Sequence, residues 1–179
     1  MPFYLKEADI VPEVENFQSV LIVLCRFCPA ASMAATKQQP YIELFRRFLN
    51  TESYEQLISN MQSRLEKEGV KTDVFKGNLL PMPLNFIICL WTSGQREKFI
   101  KHASQYEAVV VMGCEPIYRT VCDMLATTDC QVFQGMETEG ILDAIPRFNL
   151  PFNISLELNS VTPVLCLEKQ KGEEKIKYA

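Results

Sequence analysis

The sequence has one histidine, no glycine-rich nucleotide motif and no excess of basic residues. His102 is the only histidine among 179 residues, so the sequence offers few candidate residues for a Ser-His-Asp triad or a closed zinc site. No stretch reads Gly-x-Gly-x-x-Gly or ends in Gly-Lys-Ser/Thr, the patterns typical of dinucleotide and phosphate binding. The net charge is −4, whereas a nucleic-acid-binding protein usually presents a basic face. We therefore expect no nucleic-acid partner.

Long apolar runs are also missing. The longest one near the N-terminus, residues 20–24, is far too short to span a bilayer. Residues 1–16 carry four acidic side chains, whereas a secretory signal begins basic and then turns apolar. We therefore expect neither secretion nor a membrane partner.

The chain is unusually rich in cysteine for its length. It has seven, an odd number that does not suit a disulfide framework, and most lie in apolar segments: Cys25, Cys28, Cys89, Cys114, Cys122, Cys130 and Cys166. We predict a cytoplasmic protein with reduced thiols. Free cysteine packs as a small hydrophobic side chain, which is our interpretation of Cys89, Cys122, Cys130 and Cys166.

Buried strands alternate with amphipathic helices over most of the chain. Continuous apolar runs predict strands at residues 18–25, 85–91, 107–112 and 130–133, and a shorter strand is predicted at 72–76. Helical spacing of apolar residues predicts helices at 40–49, 51–68, 95–105 and from Pro116 onward. This alternation favours a mostly parallel open sheet between two layers of helices, and it resembles a Rossmann-like or flavodoxin-like domain.

The end of the chain has a different pattern. Residues 152–158 and 161–167 predict an antiparallel hairpin with a turn at Asn159-Ser160 and with Pro163 in an edge strand. We expect residues 134–153 to be a short helix and loop, either a lid over the site or a solvated connection. We predict one domain over residues 1–179, with an irregular segment at 1–16 and a frayed, charged tail at 169–179.

The ends of the predicted strands mark the expected site. In open α/β sheets, ligands bind beyond the carboxyl ends of the parallel strands. If the four strands are parallel, one rim collects four short segments, which contain the cysteines Cys25, Cys28 and Cys114 and the candidate ligand-binding residues Thr92, Ser93, Gly94, Gly113, Glu115, Gln134, Gly135 and Glu137.

The spacing Cys25-x-x-Cys28 allows three interpretations. A dithiol redox pair is one, because a helix N-terminus stabilises a thiolate and lowers the pKa of the thiol. A metal ion or an iron–sulfur cluster is another, with Cys114 as the third thiolate ligand. The third is that the cysteines pack without doing chemistry.

Two hypotheses of function follow, and the sequence leaves open whether the protein is an enzyme. The first is a thiol-dependent protein in which Cys25, Cys28 and Cys114 carry out redox chemistry or hold a metal. The alternative is a non-catalytic accessory or binding domain. It would hold a small anionic ligand at the helix starts after Thr92 and Gly113, or bind a protein partner, including a second copy of itself through the C-terminal hairpin.

Overall fold

A computed structural model describes residues 2–43, 50–75, 87–149 and 153–163 of the chain. The elements follow in the order β1 (Phe3–Glu7), α1 (Val11–Val14), β2 (Ser19–Leu24), α2 (Cys28–Lys37), β3 (Pro40–Glu43), α3 (Glu52–Lys67), β4 (Lys71–Phe75), a 3-10 turn (Ile88–Leu90), α4 (Ser93–Ala103), β5 (Ala108–Met112), α5 (Glu115–Leu125), β6 (Gln131–Gln134), β7 (Met136–Asn149) and β8 (Asn153–Pro163).

Four of the strands form a parallel sheet in the order β4-β2-β5-β6. Residues 20–23 of β2 and the whole of β5 are buried, because their side chains are apolar on both faces and both faces are covered. The strands predicted at 18–25, 72–76, 107–112 and 130–133 are confirmed, within one or two residues at each end.

The helices predicted at 51–68, at 95–105 and from Pro116 onward are present as α3, α4 and α5, and α4 begins and ends two residues earlier than predicted. Thr51 precedes α3, and its side chain accepts a hydrogen bond from the main-chain N–H of Tyr54 at 3.2 Å. Gly69 follows α3 with φ +83°, a left-handed conformation that glycine adopts without strain. Thr92 and Gln95 form a capping box at the start of α4.

The remaining strands form a curled antiparallel sheet in the order β1-β7-β8-β3. The prediction of one mostly parallel open sheet, Rossmann-like or flavodoxin-like, is therefore wrong, since half of the strands belong to this second sheet. Residues 136–149 are a single long strand and not a lid or a loop. Side chains from both sheets meet in one hydrophobic core, with Leu5, Met136 and Leu142 from the antiparallel sheet.

The C-terminal hairpin is also placed differently from the prediction. Its two strands are β7 and β8, and Asn159-Ser160 lies within β8. Asp143 pairs with Ser160 and Ala144 pairs with Leu158, so Asn159 is the additional residue of a β-bulge. The polar pair Asn159-Ser160 therefore marks a local irregularity in a strand and not a reversal of the chain. Residues 164–167, with Cys166, lie outside the described residues.

Three shorter predictions also need correction. Pro40 begins strand β3 and not a helix, and residues 44–49 of that predicted helix lie outside the described residues. Ile88–Leu90 form a 3-10 turn where a buried strand was expected, while residues 85–86 lie outside the described part. The N-terminal segment contains β1 and α1 and is not irregular. The tail at 169–179 also lies outside the described residues.

Helix α2 follows β2 and packs against the antiparallel sheet through Ser32. The Ser32 side chain is 1% exposed, and its Oγ accepts a hydrogen bond from the main-chain N–H of Leu5 at 3.0 Å. The same hydroxyl lies 3.0 Å from the carbonyl oxygen of Phe3 and 2.9 Å from that of Cys28, and its single proton is shared between these two acceptors. Ser32 therefore forms hydrogen bonds with main-chain groups on the outer edge of β1 and links this edge to α2.

In the part of the chain that the structure describes, we find no helix with both the length and the apolar composition needed to cross a bilayer.

Replacing Ser32 tests this attachment. We expect Ser32→Ala to lower the free energy of unfolding by roughly 1–3 kcal/mol, because the buried N–H of Leu5 would lose its partner. Ser104→Ala is the matched control, since the Ser104 hydroxyl bonds only the carbonyl of Lys101 on an exposed surface. Its effect should stay within about 0.5 kcal/mol. Urea unfolding of both variants measures the difference, and equal midpoints would contradict the role of Ser32.

Candidate functional site

The parallel sheet has a topological switch point between β2 and β5, where the strand order changes direction. From β2 the chain continues to β4 on one side, and it then crosses back to β5 on the other side of β2. Ligands in open parallel sheets bind beyond the carboxyl ends of the strands at such a reversal. Two segments meet there, residues 25–28 after β2 and residues 113–115 after β5. We call this place the β2/β5 crevice.

Cys28 and Cys114 are brought together in the β2/β5 crevice. Cys28 is the first residue of α2, and Cys114 immediately precedes α5. The two thiols interact with each other there, and each is the main cause of the shift in the pKa of the other. The two residues are 8% and 4% exposed. Residues 86 positions apart in the sequence therefore form a thiol pair, because β2 and β5 are neighbours and end at the same level.

The two thiols of the pair differ in acidity. The hydrogen bond from Cys28 lowers the pKa of Cys114 to about 7; burial acts against this shift, and the main-chain N–H groups of Ile117 and Cys114 support it. The same hydrogen bond, together with burial, raises the pKa of Cys28. Cys114 is therefore the more acidic thiol of the pair and Cys28 the less acidic one, which is the division of roles that thiol chemistry needs.

Cys25 lies next to this pair but has a different character. It is 2% exposed, and its main-chain N–H donates to the carbonyl oxygen of Met112 at 3.0 Å. Burial raises the pKa of its thiol to about 11, and hydrogen bonds from the main chain at Phe27 and Ile88 offset only part of that effect. Cys25 therefore stays protonated, and the sulfur that Cys28 contacts through a hydrogen bond is that of Cys114.

Cys89 is the cysteine of this region that sequence reasoning missed. It lies in the 3-10 turn and is exposed, one residue after Ile88, whose main chain contacts the Cys25 sulfur. It also interacts electrostatically with Cys114, and partial burial raises the pKa of its thiol. The apolar run around Cys89 gave no signal for a turn, so its thiol was interpreted as a packed side chain.

The three cysteines do not form a metal site. Within residues 2–43, 50–75, 87–149 and 153–163, no three His, Cys, Asp or Glu side chains are arranged to hold a metal ion. The interpretation of Cys25, Cys28 and Cys114 as ligands of a metal ion or an iron–sulfur cluster therefore has no support in the geometry.

Of the predicted ligand-binding residues, Thr92, Ser93 and Gly94 follow the 3-10 turn and not a strand of the sheet. The main-chain N–H and the hydroxyl of Thr92 lie 2.8 and 3.0 Å from Oε1 of Gln95, which serves the capping of α4. These three residues form the start of a helix, and no further contact of theirs points to a ligand.

Gly113 and Glu115 lie in the β2/β5 crevice itself. A Cβ atom on Gly113 would stand 3.0 Å from Cγ2 of Ile117 and 3.5 Å from Cβ of Cys25, so glycine allows α5 to approach closely. The Glu115 carboxylate pairs with Arg119 at 2.7 Å. The main-chain N–H of Glu115 donates to Oγ1 of Thr138 at 3.0 Å.

Gln134, Gly135 and Glu137 form the passage from the parallel sheet to the antiparallel sheet. A Cβ atom on Gly135 would stand 2.5 Å from the sulfur of Met112, so only glycine fits there without rearrangement. The Gln134 amide donates to the carbonyl of Met136 at 2.8 Å, and Glu137 is exposed in β7 opposite Lys6. The contacts of these residues serve the fold.

Comparison of the chain with protein-family models, with characterised proteins and with solved structures gave no match. Its function is therefore inferred from the chemistry of the β2/β5 crevice.

Removing the Cys28 thiol tests the electrostatics of the pair. We expect Cys28→Ala to raise the pKa of Cys114 from about 7 toward the ordinary thiol value of 9.0, because the thiolate loses its hydrogen-bond donor. Thiolate absorbance near 240 nm, titrated with pH and corrected by the same titration of Cys114→Ser, measures the shift without requiring reagent access.

Cys130→Ala is the matched control for this titration. Burial alone raises the pKa of Cys130 to about 11, so its removal should leave the Cys114 transition where it was. A Cys114 midpoint that stays near pH 7 in Cys28→Ala would contradict the hydrogen bond as its cause.

Proposed function

We propose that this protein is a thiol–disulfide oxidoreductase in which Cys114 is the attacking thiolate and Cys28 the resolving thiol. The observation that carries the proposal is the placement of Cys28 at the start of α2 and of Cys114 just before α5, after two strands that are neighbours in the parallel sheet. A thiolate is the nucleophile in disulfide exchange, and one with a pKa near the ambient pH attacks most effectively.

The reaction proceeds through two exchanges. The Cys114 thiolate attacks one sulfur of a substrate disulfide, the substrate S–S bond breaks, and the first leaving thiolate takes a proton from solvent. The Cys28 thiol then loses its proton and attacks the Cys114 sulfur of the mixed disulfide, which releases the second thiolate. Two electrons pass to the substrate, and Cys28 and Cys114 are left as a disulfide. A low-molecular-weight thiol, the co-reactant of this proposal, restores the dithiol.

The burial of the pair favours a small substrate. Cys28 and Cys114 are 8% and 4% exposed, so a low-molecular-weight disulfide reaches them more readily than a disulfide in a folded protein. The six cysteines that the structure describes are all free, which agrees with a reducing compartment, and we propose the cytoplasm.

Trapping the mixed disulfide tests the function. The reduced protein is treated with bis(2-hydroxyethyl) disulfide, and intact mass and peptide mapping follow the products. We expect the wild type to lose two thiols and to form the Cys28–Cys114 disulfide. Cys28→Ser should stop at an adduct of one mercaptoethanol on Cys114, because the resolving thiol is missing, and Cys114→Ser should not react in the crevice.

Cys130→Ser is the control for this experiment, since Cys130 lies at the opposite end of the parallel sheet. It should behave as the wild type. An adduct on Cys25 in place of Cys114, or unreactive Cys28 and Cys114 in the wild type, would contradict the proposal.

A further inference from the structure

A buried hydroxyl bridges the two strands that lead into the thiol pair. Tyr54 lies in the first turn of α3 and is 1% exposed. Its hydroxyl oxygen lies 3.1 Å from the carbonyl oxygen of Cys25, which follows β2, and 3.2 Å from that of Met112, the last residue of β5. The single hydroxyl proton is shared between these two acceptors. Tyr54 therefore connects the ends of β2 and β5 where the chain enters the β2/β5 crevice.

The hydroxyl of Tyr54 has a role that its ring does not supply. The carbonyl oxygen of Met112 also accepts the main-chain N–H of Cys25 at 3.0 Å, so the hydroxyl completes a set of bonds between the two strand ends. Burial raises the pKa of Tyr54 well above its ordinary value, so the hydroxyl stays protonated and remains a donor. A phenyl ring would fill the same space but would leave these carbonyl groups with one donor fewer.

The thiols lie only a few residues beyond this bridge. Cys28 is three residues after Cys25, and Cys114 is two residues after Met112. A disulfide forms without strain only when its two Cα atoms lie about 4.4–6.8 Å apart and its Cβ atoms about 3.5–4.5 Å apart. Because the connecting segments are so short, the separation of the strand ends decides how readily one sulfur reaches the other.

We propose that Tyr54 is a positioning residue of the thiol pair, whose hydroxyl holds the ends of β2 and β5 at the separation at which Cys28 and Cys114 close into a disulfide. The inference rests on the proposed function and assigns the group that prepares its second exchange. The hydroxyl acts through main-chain carbonyl groups, and no bond is made or broken at Tyr54. Its loss should therefore slow the attack of Cys28 on the mixed disulfide and leave the first attack by Cys114 as it was.

Tyr54→Phe tests this role in the full-length chain. Buffers of reduced and oxidised dithiothreitol set the equilibrium, and mass spectrometry after alkylation in denaturant measures the Cys28–Cys114 disulfide. We expect the equilibrium constant for this disulfide to fall about tenfold, or about 30 mV in reduction potential, because the sulfurs lose their preset separation.

The two exchange steps respond differently. Acid quenching of the reaction with bis(2-hydroxyethyl) disulfide should show the second exchange of Tyr54→Phe slowed by about the same tenfold factor. In the Cys28→Ser background, formation of the adduct on Cys114 should change by less than about twofold when Tyr54→Phe is added, because the first attack does not depend on closure of the pair.

Tyr41→Phe is the matched control for the loss of a buried hydroxyl. Tyr41 is 7% exposed, and its hydroxyl donates to the carbonyl oxygen of Phe27 at 3.2 Å, in the segment after β2 alone. Its removal should lower the equilibrium constant by about threefold or less. Thr51→Ala is a second variant on α3, since it removes the oxygen that accepts the main-chain N–H of Tyr54, and the constant should fall in it too.

Equal losses in Tyr54→Phe and Tyr41→Phe would overturn the role of Tyr54, and so would an unchanged equilibrium constant in Tyr54→Phe. An unchanged constant in Thr51→Ala overturns it even if Tyr54→Phe fails to fold. These results leave the proposed function standing as long as the wild type forms the Cys28–Cys114 disulfide. A wild type that forms no such disulfide would contradict the proposed function and this inference together.

Discussion

β2 and β5 pair in parallel from Val20 opposite Ala108 to Leu24 opposite Met112, and the position of the thiol site depends on this register. The two strands end at the same level, so the chain leaves both of them side by side. The main-chain N–H of Cys25 extends the pairing by one more hydrogen bond to Met112, and the Tyr54 hydroxyl shares its single proton between the carbonyl oxygens of Cys25 and Met112. A shift of one residue would separate Cys28 from Cys114, because successive residues of a strand point to opposite faces.

The parallel sheet could be predicted because each of its inner strands is apolar on both faces. Residues 107–112 contain a continuous apolar run, which predicts a buried strand, and the structure confirms a strand at Ala108–Met112. The antiparallel sheet could not be predicted in the same way. Its strands mix polar and apolar residues, β7 contains Pro146, and the Asn159-Ser160 pair in β8 has the composition of a turn. β7 and β8 pair with each other on one side, and on the other side each pairs with a strand more than a hundred residues away, β1 and β3 respectively.

For the site, too, the strand pattern along the sequence predicts the position of the cysteines, but only tertiary contacts decide their roles. The sequence predicted that Cys25, Cys28 and Cys114 lie near one rim, and they do lie together. The roles within this group depend on contacts that spacing does not reveal. Cys28 is three residues from Cys25, yet its hydrogen bond goes to Cys114, and Cys25 is set apart by burial. Cys89 gave no signal, because it lies in an apolar run.

The way that β1 enters the antiparallel sheet has a consequence for synthesis on the ribosome. Phe3 pairs with Ile141, so β1 has no partner strand until residues 136–141 have been made. Ser32 of α2 is available more than a hundred residues earlier and already bonds the main chain of Leu5 and Phe3 from the other edge. A nascent chain can therefore hold its first strand against α2, with one edge occupied, until β7 arrives to complete the sheet. An open strand edge is a site for aggregation, and the helix shortens the time for which both edges of β1 are exposed.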